Sequence, residues 1–276
     1  MRGGGMIKLG ICNEMFQGWN IGEVFRFAGS LGYDGVEVAP FTLADSVEEI
    51  SRERRKEIRA EAEDAGVEVV GLHWLFVKPE GLHLNHPDDK IRNRTRDYLL
   101  RLIEFCGDLG GRTMVVGSPK QRNILEGQTY RDTYMRTLEV LRSVLPEAEA
   151  RGVVLCLEAL DPHQTNFLTD TEEAMRLVRD LDHPNLRTMV DIRSAWFGEK
   201  EEVPEVIRRV GPYISHVHAN DANRLGPGMG QVDFGPIAEA LREVGYEGYV
   251  SVEVFDFSPG PEEIARRSLE YLRRFF

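Results

Sequence analysis

GVVLCLEALDPHQTNFLTD (152–170) decides the architecture. Gly152 stops a helix-length amphipathic segment, VVLCLEA (153–159) is a short β-rich run, and Thr169 or Asp170 caps the next helix. The same order recurs on both sides. Upstream, IKLGIC (7–12) reads as a strand and Asn20 caps a helix through Leu31. GVEVA (35–39) is a strand, and Ser46 caps a charged helix to Ala65, ended by Gly66. VEVVGLHW (67–74) leads through a His-, Gly- and Pro-rich loop to a long helix near 88–109, ended by Gly110-Gly111; RTMVVG (112–117) then precedes a helix near 129–150. Downstream, LRTMVDI (186–192), ISHVHA (214–219) and YVSVEVF (249–255) alternate with helices near 203–210, 234–244 and 261–275. Eight strands alternating with eight helices imply parallel pairing through right-handed crossovers, so a single-domain (β/α)8 TIM barrel over 7–276 is predicted. Residues 1–6 read as a disordered leader. A doubly wound open sheet is the alternative, but no G-x-G-x-x-G follows the first strand.

Composition narrows the function classes. Of 276 residues, 34 are Lys or Arg and 46 Asp or Glu, a formal charge of −12, which argues against a nucleic-acid partner. No apolar run reaches the roughly 20 residues of a membrane helix, and the start lacks a signal peptide's apolar core. Cys12, Cys106 and Cys156 are odd in number, far apart and in apolar settings, as buried thiols of a reducing cytoplasm would be.

Four polar residues end successive strand-like runs in the second half: Glu158, Asp191, His218 and Glu253. Residues two apart share a strand face, so Cys156 and Glu158, Met189 and Asp191, His216 and His218, and Ser251 and Glu253 form inward pairs, each with its outer member at the C-terminal rim, where barrel enzymes place their chemistry. Three carboxylates close together are costly without a cation. Carboxylate oxygens and one imidazole suit one divalent ion: Mn²⁺, Co²⁺, Mg²⁺ or Zn²⁺.

CLEALDPHQTNFL (156–168), MVDIR (189–193), HVHANDANRLGPGMGQVDF (216–234) and GYEGYVSVEVF (245–255) carry a resemblance to the xylose-isomerase-like TIM-barrel superfamily, in its sugar phosphate isomerase/epimerase branch. Within that branch the chain resembles D-tagatose/D-psicose 3-epimerases. The resemblance implies that Glu158, Asp191, His218 and Glu253 hold the metal, that Glu158 and Glu253 double as the acid/base pair, and that Arg224 and Gln164 meet the substrate. Gln164 stands where the epimerases place a Glu, and Ser194 where they place a substrate-binding His; in this chain Arg193 is the prominent neighbour there. Both departures bear on free-ketose specificity more than on reaction type.

Such a site would abstract a proton next to a carbonyl and stabilise the enediolate electrostatically. Return of the proton to the other face gives epimerisation, and return to the neighbouring carbon gives aldose–ketose isomerisation. The expected partner is a small sugar or sugar phosphate. Further candidates for substrate contact are His73, Trp19, Phe16, Lys120, Arg122, Lys78 and Arg193, each weighed against solvated or packed roles. Glu37 reads as a group that orients neighbours, binds substrate or forms a salt bridge, His216 as a packed neighbour of the site, and His83 and His86 as exposed histidines of a mobile loop. The alternatives are an inosose-dehydratase-like lyase, an endonuclease-IV-like DNA repair enzyme and a non-catalytic barrel. Relatives of this kind are often dimers or tetramers, so a homo-oligomer is expected by analogy.

Overall fold

The computed structural model describes residues 6–276; all of the expected leader but Met6 lies outside them. The strands are β1 (Lys8–Cys12), β2 (Gly35–Val38), β3 (Glu68–Leu72), β4 (Thr113–Val116), β5 (Val154–Leu157), β6 (Leu186–Asp191), β7 (Ile214–Ala219) and β8 (Tyr249–Val252). They pair in parallel in chain order, β8 closing onto β1. The outer helices are α1 (Ile21–Leu31), α2 (Arg52–Asp64), α3 (Asp89–Asp108), α4 (Tyr130–Arg151), α5 (Thr171–Leu181), α6 (Ile192–Gly198), α7 (Val203–Val210), α8 (Phe234–Glu243) and α9 (Pro261–Leu272). The predicted closed barrel is therefore observed. No helix among the described residues is long and apolar enough to cross a membrane.

Local chemistry accounts for most boundaries. Asn20 and Glu23 form a reciprocal capping box on α1, and Gly152 ends α4 in the left-handed conformation. Two boundaries differ from the sequence reading. Ser46 caps only a 3₁₀ turn (Val47–Glu49), and α2 begins after its own cap, Ser51. The short α6 was not predicted; it starts directly at Asp191, whose Oδ1 accepts the Ser194 N–H at 2.6 Å.

The barrel interior is divided. Val115, Cys156 and Met189 pack together on one side, while Glu37, His216 and Ser251, each fully buried, bring polarity to the other. All three cysteines are buried and unpaired.

The loop between β3 and α3 is tied by hydrogen bonds to the loop that follows β4. Phe76 N–H donates to Ser118 Oγ, Leu84 N–H to the Gln121 carbonyl and Asn85 Nδ2 to the Arg122 carbonyl. His83, expected to be exposed, is only 7% exposed, and neither ring nitrogen has a hydrogen-bond partner. Burial, then His86, pushes its pKa down to about 4. A histidine with a depressed folded pKa contributes stability above its unfolded pKa of about 6.5, and that contribution is lost as pH falls toward the folded value. The melting temperature is thus expected to drop between pH 6.5 and 4 by more in the wild type than in His83→Leu. Parallel curves would count against this origin.

Candidate active site

Glu158 stands one residue past β5, Asp191 ends β6, His218 is next to last in β7, and Glu253 follows β8. The strand ladders fix their heights: Asp191 pairs with His218 and His218 with Ser251, while the Glu158 and Glu253 amides donate to the carbonyls of Val116 and Ala219. One donor atom from each of the four residues lies within 4.8 Å of the others. His218 Nδ1 is 3.1 Å from Glu253 Oε2 and 3.3 Å from Glu158 Oε1. Despite this crowding, His218 Nδ1 and Glu253 Oε2 are buried with no partner in hydrogen-bond geometry. Oxygen-rich donors packed together without satisfying one another fit a divalent cation.

The electrostatics agree with that fit. Burial, then Glu158, raises the Asp191 pKa above the usual carboxylate value. Burial also raises that of Glu253, with His218 opposing. For His218, burial favours the neutral ring, but Glu253 and Glu37 outweigh it and hold the pKa well above the ordinary value. Asp191 is fixed further by Asn220 Nδ2, which donates to its Oδ2 at 2.5 Å.

A second polar group lies beneath the first. Glu37 Oε2 is 2.7 Å from His216 Nε2, and Glu37 Oε1 is 3.1 Å from His218 Nε2 and 3.7 Å from His73 Nδ1. His73 Nε2 is in turn 2.7 Å from Glu14 Oε2. Burial would raise the Glu37 pKa, but His216 and His218 override it and hold it well below the usual range.

Above the four residues opens a pocket lined by Glu158, His218 and Glu253, by His73 and Gln164, and by Trp74, Val115, Gly117, Ser118, Pro119, Leu160 and Phe255. Trp74 Nε1 donates to Glu253 Oε1 at 3.1 Å. Its backbone is left-handed (φ +52°), a conformation that costs a non-glycine residue of order 1–3 kcal/mol and is met mostly at functional sites. Trp74→Phe keeps a ring but removes the donor. Since a hydrogen bond to a charged group contributes about 1.5–3 kcal/mol, turnover is expected to fall roughly 10–100-fold with KM little changed. Unchanged steady-state kinetics would dismiss the contact as incidental. On the other wall, a Cβ at Gly117 would fall on Glu158 Oε2, so only glycine leaves that carboxylate its place. The sequence offered no sign of these two roles.

The remaining candidates are distributed unevenly. Gln164 lines the pocket while its Nε2 donates to Asp161 Oδ2 and Ser194 Oγ. Arg193 is half-buried, ion-paired with Asp161 at 3.4 Å and stacked on Phe197, and Lys120 is exposed; neither lines the pocket. Arg122 is buried and structural in its contacts: Nη1 donates to the carbonyls of Val116 and Glu158, tying together the ends of β4 and β5. Arg224 is exposed, does not line the pocket and has φ +74°. Its carbonyl accepts from the amides of Phe255 and Asp256. The loop that carries it is organised by Asp221, whose Oδ1 accepts from the amides of Ala222 and Gln231, and by Asn223, whose Nδ2 donates to the Met229 carbonyl. Asp221 and Asn223 of the segment HVHANDANRLGPGMGQVDF (216–234) thus shape the rim rather than reach into it.

A closed barrel with a carboxylate–imidazole cluster at its C-terminal rim defines a class, and the chain belongs to the xylose isomerase-like TIM barrel family, whose model matches residues 25–275. Among curated proteins it is similar to D-psicose 3-epimerase of Ruminiclostridium cellulolyticum, 29% identical over 82% of this chain and 75% of that one. It is also similar to 3-dehydro-D-guloside 4-epimerase of Escherichia coli K12, 26% identical over 97% and 99%, and to fructoselysine 3-epimerase of Shigella flexneri, 26% identical over 97% of each. A crystal structure of D-psicose 3-epimerase with D-tagatose from Clostridium cellulolyticum H10 shares the fold, with a TM-score of 0.85 over 98% of this chain and 99% of that one at 24% identity.

Proposed function

We propose that this protein is a divalent-metal-dependent epimerase of a ketose or a related hydroxy-carbonyl sugar. Glu158, Asp191, His218 and Glu253 hold the metal, and Glu158 and Glu253 exchange the proton. The observation that carries the reading is the convergence of these four donors below a pocket that two of the carboxylates also line. A divalent cation bound there would supply electrostatic stabilisation for the negative charge that develops when a carbon next to a carbonyl loses its proton. Glu253 directs Oε2 toward His218 and keeps Oε1 on the pocket side, held by Trp74. Glu158 likewise directs Oε1 toward His218 and lays Oε2 over Gly117. Each carboxylate therefore has one oxygen available to a proton while the other faces the cluster, as a base and its reciprocal acid require. Gln164 presents an amide where substrate oxygens would lie. The names of the relatives above, all epimerases acting on different sugars, support the reaction class more than any one substrate.

The test is proton exchange in D₂O followed by NMR, with protein loaded with Mg²⁺ and offered free ketoses, phosphorylated ketoses and substituted keto sugars. Deuterium next to the carbonyl together with inverted configuration is the expected result. Exchange with aldose formation would assign isomerisation, and an unsaturated product would assign the dehydratase chemistry. No exchange across the panel, with one metal bound, would overturn the proton-transfer reading.

A further inference from the structure

We propose that Glu37 is a positioning residue that presents His218 to the metal through Nδ1, and that His216 serves to hold Glu37 in that role. The proposal rests on the metal site put forward above.

A neutral imidazole has one N–H and one lone pair, and the partner of one nitrogen decides which nitrogen remains free to coordinate. An ionised carboxylate can only accept. Glu37 meets Nε2 of His218 at 3.1 Å and Nε2 of His216 at 2.7 Å, so both rings must carry hydrogen on Nε2. When a cation displaces the second ring proton, Nδ1 of His218 is the nitrogen left with a lone pair, and Nδ1 is the atom beside Glu158 Oε1 and Glu253 Oε2. The tautomer and the direction of coordination therefore come from a single contact.

Simpler roles fit Glu37 less well. It is fully buried, as is His216, and neither lines the pocket, so substrate contact explains neither. An ionised carboxylate at full burial is a poor source of stability compared with apolar packing, and apolar packing is what Val115, Cys156 and Met189 provide on the other side of the same interior. Glu37 also reaches across: β2 is separated from β7 in the barrel by β1 and β8. His216 Nδ1 has no partner, so the ring's one hydrogen bond is the one to Glu37. Cys12, Glu37 and His218 could themselves be read as a cation site. Such a site would break the Glu37–His218 contact.

The experiment uses the full chain labelled with ¹⁵N-histidine and loaded with Zn²⁺ as a diamagnetic probe. Two-bond ¹H–¹⁵N correlation spectra are expected to show His218 protonated at Nε2 and coordinated at Nδ1. A His218 protonated at Nδ1 overturns the proposal without any variant. Calorimetric titration with Mn²⁺ then compares the wild type with Glu37→Gln, for which a 10–100-fold weaker Kd is expected with the fold intact by circular dichroism. Affinity within threefold of the wild type overturns the role. If Glu37→Gln fails to fold, His216→Gln, which frees only one Glu37 oxygen, is expected to weaken binding measurably, and wild-type affinity in it overturns the part assigned to His216. Absence of metal binding in the wild type itself would instead overturn the metal site, a result distinct from an unaffected variant.

Discussion

Glu253→Gln is expected to reduce deuterium incorporation next to the substrate carbonyl by about 10²–10⁴-fold, the contribution usual for a positioned general base. The substitution preserves shape, and the amide oxygen can still accept the Trp74 N–H, so the pocket wall stays in place. What disappears is the basicity of that oxygen, and an amide NH2 takes the place of the oxygen facing His218. Because Glu253 is proposed for both tasks, the assay separates them by metal concentration. Asp191→Asn, at a proposed ligand that does not line the pocket and whose oxygens also accept from the Ser194 N–H and Asn220 Nδ2, should recover activity as metal is raised, whereas Glu253→Gln should not. Glu253→Gln retaining activity within tenfold of the wild type at saturating metal would remove it from the proton-transfer role.

The second large effect is expected from a single methyl group. Gly117→Ala introduces a Cβ where Glu158 Oε2 lies, so the carboxylate must swing away. The backbone of Gly117 is not left-handed, so alanine is conformationally acceptable there and the chain should still fold. Misplacing a reacting group by about 1 Å typically costs on the order of 10²-fold in rate. The expected result is a loss of that size in turnover, with little change in the melting temperature. Full activity in Gly117→Ala would mean that Glu158 has another productive position and that the glycine is there for another reason.

The barrel was legible because caps, glycine stops and β-rich runs repeat in one order, and a parallel sheet leaves few other closures. The grouping of Glu158, Asp191, His218 and Glu253 was legible for a related reason: strand periodicity of two and adjacency in chain order determine both the face and the height of each side chain. Contacts between elements that are neighbours in neither sense escaped. Glu37 could be singled out in the sequence, but its two histidine partners lie on β7, across the interior. Trp74 is required by a side chain from the far end of the chain, and Gly117, though beside an adjacent strand, by where the Glu158 carboxylate lies, so nothing local marks either. The helix α6 was missed because IRSAWFG directly continues an apolar strand, and its start depends on Asp191 turning its carboxylate back onto the Ser194 amide. The buried His83 looked like a loop histidine because exposure depends on how the β3–α3 loop is tied to the next one.

The Trp74–Glu253 hydrogen bond makes the pocket its own optical probe. Of the chain's three tryptophans, only Trp74 lines the pocket, and its indole N–H rests on a carboxylate whose other oxygen faces His218. Indole emission responds to nearby charge, so filling the site should change the fluorescence of this residue directly. With Trp19 and Trp196 replaced by phenylalanine, titrations of metal and of sugar can be read from the remaining signal without a label, a chromogenic substrate or a coupled assay.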